Sequence, residues 1–250
     1  MSQLGLATEA DISARHLSFV ETGRAQPSRE ILIALSDVLE VPVRGRNELL
    51  TAAGYAPIYR ETALDAPEMA QVRRALDFML HQQEPYPAMI LDRWWNVVKT
   101  NTAMSRVLGV LLDTGAAEVP GPPNAMRLSF HPQGLRPTIV NWEASAASMI
   151  QWLHRDALRS GDPDTRRLLE ELLAYPGVPQ QWRVIDLEAS AAPCLAIELR
   201  KGVAAFSFFT VLASLGTPHD ITLHELRVES FFPADERTER ALRDLAEAGA

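Results

Sequence analysis

Short amphipathic segments dominate the first 56 residues of this 250-residue chain. Ser2, Ser13 and Ser28 each stand directly before such a segment, where a serine hydroxyl can accept a hydrogen bond from the first helical turn. Glycines and prolines separate the segments and predict where they end. The predicted helices cover residues 2–10, 14–21, 29–41 and 45–53. Two short helices joined by a tight turn at Asp11-Ile12 have a helix-turn-helix arrangement.

The rest of the chain contains two kinds of pattern. Some segments are apolar or alternating runs, which predict strands, and others have the helical period. Residues 57–70 contain two prolines and no strong period, and we interpret them as a linker. Residues 71–250 then form a second domain. Its predicted strands are 87–92, 97–100, 194–200, 204–212 and 223–232, and its predicted helices are 101–112, 141–159 and 163–174. We therefore expect an α+β protein: an all-α head followed by a five-stranded antiparallel sheet with helices.

Charge and cysteine content limit the classes of function. The chain has 24 Lys and Arg against 32 Asp and Glu, so its net charge of −8 argues against a protein that coats nucleic acid. A small DNA-reading module on a larger acidic body remains compatible with it. The single cysteine, Cys194, lies in a predicted strand, and no run of about 18 apolar residues is present. We predict a cytoplasmic protein with no membrane partner.

Motifs that carry catalysis or metal binding are missing from the sequence. It has no nucleophile elbow, no phosphate-binding glycine loop and no dinucleotide fingerprint. None of the six histidines forms a spaced pair or lies beside a cysteine. We predict that the protein is not an enzyme and that it uses no cofactor or metal.

Several motifs of the first region resemble one DNA-binding family. Ser2-Gln3, Ile12-Ser13, Glu21 with Gly23-Arg24, and Pro27-Ser28 are similar, at the same spacings, to the lambda-repressor-like XRE family of helix-turn-helix domains. The resemblance makes 14–21 the recognition helix, whose exposed residues read double-stranded DNA in the major groove. Arg15 is suited to guanine and Phe19 to a thymine methyl. The alternative for Arg15 is a solvated surface charge, and the alternative for Phe19 is an aromatic that only packs. The predicted DNA-binding residues are Gln3, Ala14, Arg15, Ser18, Phe19, Arg24, Ser28 and Arg29.

The sequence departs from that family at its beginning. The family's Arg-rich first helix, which precedes Ser-Gln, is missing, so Leu6 and Leu17 are expected to be exposed and Glu21 to lack its arginine partner. Residues 1–62 contain six Arg and eight acids, which is a poor phosphate-binding composition. Either the true start lies upstream of Met1, or this protein has lost the helix. If the helix is lost, the alternative function is a ligand- or lipid-binding sensor module with impaired DNA binding.

The second region resembles the ligand-binding domain of MmyB-like transcription regulators. The similarity rests on ordered motifs such as Leu128-Ser129-Phe130-His131-Pro132, Asp220-Ile221-Thr222-Leu223 and Glu229-Ser230-Phe231-Phe232-Pro233. It implies a PAS-like fold with an apolar pocket for a fatty-acid-like molecule. Aromatic residues are its expected lining, with Arg127 and His131 as candidates to hold a carboxylate. Ordinary core packing is the alternative for each aromatic, and capping or bracing of helices is the alternative for Arg127 and His131. The predicted ligand-binding residues are Trp94, Trp95, Arg127, Phe130, His131, Trp142, Phe206 and Phe208.

These features together predict a bacterial one-component transcription regulator. Its head binds operator DNA as a homodimer, and its sensor domain binds a small apolar ligand that favours one of two states of the protein. We expect the cavity between the sheet and the helices of residues 102–159.

Overall fold

The computed structural model describes residues 1–112, 122–184, 196–216 and 219–248. The chain divides into two compact units, which are described separately: unit 1 comprises Met1–Ala66 and Gly216–His224, and unit 2 comprises Pro67–Leu215 and Glu225–Ala250. Unit 1 thus extends beyond the predicted head of residues 1–56 and includes part of the predicted linker and a segment distant in sequence. Cys194 lies outside the described residues.

Serine caps define the helices of unit 1, as the sequence predicts. The side chains of Ser2, Ser13 and Ser28 accept hydrogen bonds from the backbone N–H three residues on, at 3.1, 3.1 and 3.4 Å. Gly23 has φ +69°, a left-handed conformation that ends the second helix at little steric cost. The helices are α1 (Gln3–Glu9), α2 (Ala14–Glu21), α3 (Arg29–Val38) and α4 (Val43–Ala52).

The segment 216–224 belongs to unit 1 because Asp220 binds the residues that follow α4. Its Oδ2 accepts hydrogen bonds from the backbone N–H and the hydroxyl of Thr62, at 3.2 and 2.6 Å, and the N–H of Ile221 donates to the Arg60 carbonyl at 2.8 Å. The other carboxylate oxygen accepts from the N–H of Thr222 at 2.9 Å. This capping starts a short helix at residue 221, so the predicted strand 223–232 is wrong in its first part.

Unit 2 contains one five-stranded antiparallel sheet, which confirms the predicted α+β fold. The strands are β1 (Ala88–Leu91), β2 (Val97–Thr100), β3 (Ile197–Lys201), β4 (Ala204–Ser214) and β5 (Arg227–Pro233). Their order in the sheet is β2-β1-β5-β4-β3, and each neighbouring pair is antiparallel. The first strand therefore pairs with both the second strand and the last one.

Helices cover this sheet and carry most of the core. Three predicted helices are observed close to their expected bounds, at 102–111, 142–160 and 163–174, whereas the helices at 70–82, 125–130 and 236–248 are additional to those predicted. Their buried residues, such as Leu76 and Leu242, recur at helical spacing but in short or highly charged segments. The helices of unit 2 are α5 (Ala70–Gln82), α6 (Thr102–Leu111), α7 (Ala125–Phe130), α8 (Trp142–Ser160), α9 (Pro163–Ala174) and α11 (Glu236–Ala248). The short helix that begins in the unit 1 segment 216–224 is α10 (Ile221–Glu225).

Buried Asn101 fixes the start of α6 to the first strand. Its Oδ1 accepts hydrogen bonds from the N–H groups of Ala88 and Met104, both at 3.0 Å, and its Nδ2 donates to the Tyr86 carbonyl at 2.8 Å. A buried amide with several satisfied hydrogen bonds holds one geometry, because breaking any of them leaves a polar atom unpaired. The inner face of α6 is thereby held over β1.

Candidate functional site

A cavity of about 890 Å³ lies in unit 2 between the sheet and the helices α6, α7 and α8. Its volume falls in the range of small-molecule sites, about 300–1,000 Å³. The position agrees with the sequence prediction of a cavity between the sheet and the helices of residues 102–159. Its apolar wall includes, from strands, Met89, Val97, Leu199, Phe208 and Phe231, and, from helices, Met104, Val107, Leu108, Leu111, Leu128, Met149 and Trp152.

The pleat of the sheet decides which side chains enter the cavity. On β4, Phe208, Thr210 and Leu212 alternate with residues of the opposite face, and on β5 Glu229 and Phe231 do the same. Phe232 faces the other side and stacks on Phe209, with ring centroids 5.3 Å apart. The register of β5 therefore turns one carboxylate toward an apolar space.

Glu229 is the one ionisable side chain among the described residues of the cavity wall. Burial raises the pKa of Glu229 to about 7, although a hydrogen bond with Thr210 favours the charged form. Arg227 lies two residues earlier on the same strand, but its guanidinium binds Asp156 at 3.2 Å and lies 4.6 Å from the ring centre of Trp152. Glu229 and Thr210 were absent from the predicted site.

Trp95 reaches the cavity wall because the turn between β1 and β2 is tightly held. Asp92 accepts hydrogen bonds at 2.8 Å from the N–H groups of Trp94 and Asn96, and Trp95 between them has φ +66°. The indole of Trp95 packs edge-on against Trp152, with centroids 4.9 Å apart. Its buried Nε1 has no hydrogen-bond partner in the described part of the chain. A ligand acceptor at this wall would meet an unused donor.

Trp94 lies outside the cavity wall and serves the structure of unit 2. Its Nε1 donates to Asp162 Oδ2 at 2.9 Å, and Arg93 forms ion pairs with Asp162 and, at 2.9 Å, with Glu225. Asp162 also caps α9 by accepting from the N–H of Thr165 at 2.8 Å. The expectation that Trp94 lines the pocket is corrected, because its polar edge is used by this network.

Arg127 is likewise placed away from the cavity. Its Nε and one terminal nitrogen donate to the two oxygens of Glu171 at 2.8 and 2.9 Å, and this hydrogen bonding raises the pKa of Arg127. The guanidinium therefore has a carboxylate partner within the protein and is not among the wall residues. The expectation that it holds a ligand carboxylate is corrected on this geometry.

Four other predicted ligand contacts also lie outside the wall. Phe130 is fully buried and packs edge-on against Trp142 at 5.8 Å, His131 packs against Tyr175 at 5.5 Å, and Phe206 stacks on Phe208 at 5.9 Å. The alternative of ordinary core packing describes the aromatic residues among them, Phe130, Trp142 and Phe206. Of the eight predicted ligand residues, the structure places Trp95 and Phe208 at the cavity.

The predicted recognition helix presents its polar face to solvent. Arg15 is exposed, with its guanidinium carbon 5.4 Å from the centre of the Phe19 ring, while Ala14, Ser18 and Phe19 are half-buried. A cation held beside an aromatic ring on an exposed helix face can reach a base edge in a groove.

The other predicted DNA contacts surround this helix. Arg24 and Arg29 are exposed, and Arg29 lies 5.7 Å from the Tyr55 ring centre. Ser28 uses its side chain as the cap of α3. Gln3 donates a hydrogen bond to Glu21.

Two expectations about the head are corrected. Leu17 is only 2% exposed, and Leu6 is half-buried, because α1 packs against both α2 and α3. Glu21 is exposed and accepts the hydrogen bond from Gln3, so it is not an unpaired, partly buried carboxylate.

The family model described as the MmyB-like transcription regulator ligand binding domain matches residues 72–245, and a helix-turn-helix model matches residues 1–45. The two matches together define a transcription regulator with a helix-turn-helix head and a ligand-binding domain. The chain belongs to the MmyB-like transcription regulators. No curated protein matches it.

Two solved structures are similar to parts or all of the chain. One is titled as the structure of an RNA-binding light-oxygen-voltage receptor, with 17% identity and a TM-score of 0.32, covering 98% of this chain and 57% of that one. The other is the PAS domain of BvgS from Bordetella pertussis, with 16% identity and a TM-score of 0.28, covering 70% of this chain and 98% of that one. The chain thus spans little more than half the length of the receptor.

Within the described residues, no helix combines the length and apolarity needed to cross a bilayer. The same residues contain no cluster of three or more His, Cys, Asp or Glu side chains able to hold a metal ion.

Proposed function

We propose that this regulator binds operator DNA in the cytoplasm as a homodimer and that a small apolar ligand in the unit 2 cavity controls this binding. The observation that carries the proposal is an apolar space of about 890 Å³ inside the domain that the family model describes as ligand-binding. A single-chain, fatty-acid-like molecule suits such a space, because its tail replaces water along walls of Met, Leu, Phe and Trp.

Regulation requires that the ligand bind one conformation of the regulator more tightly than another. The direct test measures operator affinity of the full chain with and without a bound long-chain molecule, using DNA obtained by repeated selection from a random pool. A change of about fivefold or more in the DNA Kd supports ligand control. Unchanged DNA affinity at a saturating ligand concentration would contradict it.

Chain length should set ligand affinity. Each CH₂ removed from water contributes about 0.8 kcal/mol, so Kd should fall about threefold to fourfold per added carbon until the cavity is full. We expect this series for n-alkanols and saturated fatty acids, measured by quenching of the tryptophan fluorescence of Trp95 and Trp152.

The matched control for that series is Arg127→Ala. Because this guanidinium binds Glu171 outside the cavity wall, the substitution should leave every Kd unchanged. Weaker fatty-acid binding in Arg127→Ala would restore Arg127 as the anchor. A flat response across chain lengths would remove the apolar-ligand proposal itself.

Arg15 should contribute to DNA sequence recognition and Arg24 to general affinity. Arg15→Ala is expected to weaken binding to the selected site by about 1–3 kcal/mol and to relax one base position, because an arginine on a recognition helix can bind guanine through two hydrogen bonds. Arg24→Ala should weaken binding to selected and random DNA alike, because Arg24 lies after the recognition helix, where a cation contacts phosphates and not bases.

Fluorescence anisotropy with labelled duplexes at fixed salt measures both effects, since salt alone shifts such affinities strongly. Equal losses on selected and random DNA for Arg15→Ala would contradict base reading.

A further inference from the structure

We propose that the cavity selects an apolar ligand with a cationic head, such as a long-chain primary amine, and that Glu229 with Thr210 binds this head. The inference rests on the proposed ligand-binding function of unit 2 and specifies the chemistry of its ligand. It differs from the fatty-acid expectation in the sign of the head group's charge.

The described residues of the cavity wall supply one charge, and that charge is negative. Glu229 lines the cavity beside Met89 of β1 and Leu212 of β4, and the other described wall residues are apolar or neutral. The undescribed segments 113–121, 185–195, 217–218 and 249–250 contain no Lys, Arg or His in sequence. The described wall and these segments therefore contain no cationic residue that could pair with Glu229.

Arg227 is the one cation on the same strand, and it is engaged through one of its two terminal nitrogens. Its Nη2 binds Asp156 at 3.2 Å, and its guanidinium carbon lies 4.6 and 5.3 Å from the ring centres of Trp152 and Trp95. Its buried Nη1 has no hydrogen-bond partner among the described residues, which is why the experiment below includes an Arg227 variant. The Arg227–Asp156 pair is neutral, so ionised Glu229 gives this end of the cavity a net negative charge. A ligand carboxylate would bring a second negative charge into a poorly solvated space, whereas an ammonium would neutralise the first.

An ammonium head matches the two acceptors at this place, although it leaves the donor Nε1 of Trp95 unused. A primary ammonium has three N–H donors and no acceptor. The carboxylate of Glu229 and the hydroxyl oxygen of Thr210 are acceptors that lie on neighbouring strands of the same sheet face. The alkyl tail would then extend over the methionine and leucine side chains of α6 and α8.

The pH dependence of binding follows from the state of Glu229. Burial raises the pKa of Glu229 to about 7, so the carboxyl of the unliganded protein is largely neutral at pH 6 and ionised at pH 8. An alkylamine stays protonated throughout, like a lysine with a pKa of about 10.4. Amine affinity should therefore fall about tenfold per unit below pH 7, while the affinity for a neutral alcohol of equal length stays constant.

The experiment compares decylamine, decanol and decanoic acid on the full chain by isothermal titration calorimetry at pH 8. Decylamine should bind at least tenfold more tightly than either of the others. In Glu229→Gln, which keeps the shape and removes the charge, the amine and alcohol affinities should agree within about twofold. Glu198→Gln is the matched control, because Glu198 is an exposed carboxylate on the same sheet, outside this cavity wall.

Each outcome separates the head-group inference from the proposed function. If the preference for the amine persists in Glu229→Gln, the acidic surface and not Glu229 attracts the amine, and the inference is overturned. An amine affinity that does not change with pH in the wild type would overturn it as well. If decanoic acid binds more tightly than decylamine and this preference is lost in Arg227→Gln, Arg227 would be the residue that binds the head group. That result would overturn the inference and leave the proposed ligand-binding function in place. Failure of all three probes to bind would overturn the proposed ligand-binding function as well.

Discussion

Asp162→Asn is expected to destabilise the protein by about 3 kcal/mol at pH 7, because it breaks a buried ion pair while leaving the arginine in place. The Asp162 side chain is 8% exposed and pairs with Arg93, whose own side chain is 14% exposed. Asparagine can still cap α9, but it presents no negative charge to Arg93 and places an N–H group where an acceptor is needed. Glu225 remains as a partner of Arg93, which keeps the expected cost at the lower end of the usual range.

The pH dependence of this loss has a definite sign. Burial alone would raise the pKa of Asp162, but hydrogen bonds from Thr165 and Trp94 and the charge of Arg93 outweigh it, so the pKa lies below its ordinary value. A depressed carboxyl pKa contributes stability above the unfolded pKa of about 4, and that contribution is lost as the pH falls through the folded pKa. The difference between wild type and variant should thus be full at pH 7 and shrink below about pH 4.

Urea unfolding followed by tryptophan fluorescence measures the difference in unfolding free energy between wild type and Asp162→Asn, at pH 7 and below about pH 4. Asp164→Asn is the control, because Asp164 lies in the same helical turn but pairs with the exposed Arg167, where an ion pair contributes little. A loss below 1 kcal/mol for Asp162→Asn at pH 7 would show that the network is not held in the described form.

Phe130→Ala should cost about 3–5 kcal/mol of unfolding free energy and leave the binding of decanol unchanged. Phe130 is fully buried at the end of α7, packed edge-on against Trp142 within the core of α7, α8 and α9. Its loss would open a void that close-packed neighbours fill only in part. Because Phe130 is outside the cavity wall, ligand contacts should survive.

The measurements are urea unfolding and decanol titration on the same samples. Phe78→Ala makes the identical change at a side chain that is 63% exposed and should alter stability by about 0.5 kcal/mol or less. A stability loss of that small size for Phe130→Ala would refute its role in the core. A strong loss of decanol affinity in a folded variant would instead return Phe130 to the ligand site.

Local signals explain which parts of the fold were predictable. The serine caps of α1, α2 and α3 act within four residues of themselves, so the sequence alone places the starts of these helices almost to the residue. The same holds for Pro163 at the start of α9, with Asp162 as its cap. The end of α3, at Val38, lies three residues before the predicted end at residue 41. In contrast, α10 replaced part of a predicted strand because Asp220 is positioned by Thr62, which is 158 residues away.

The site was less predictable because its composition depends on register and on distant partners. Phe231 and Phe232 are adjacent and both apolar, so the sequence does not reveal which face of β5 carries Glu229 into the cavity. Trp94 and Trp95 present the same ambiguity, which the left-handed backbone of Trp95 resolves. Arg127 looked available because its partner, Glu171, lies on a helix 44 residues later.

The chain passes between its two units three times, after Ala66, after Leu215 and after His224. A cut placed only in residues 57–70 therefore does not separate self-contained pieces. The N-terminal fragment would lose Asp220, and the C-terminal fragment would keep Asp220 without Thr62. Preparing unit 2 as a protein that folds by itself would require removing residues 216–224 and joining β4 to β5 by a short designed turn. Unit 1 would in turn need residues 216–224 attached to its own chain.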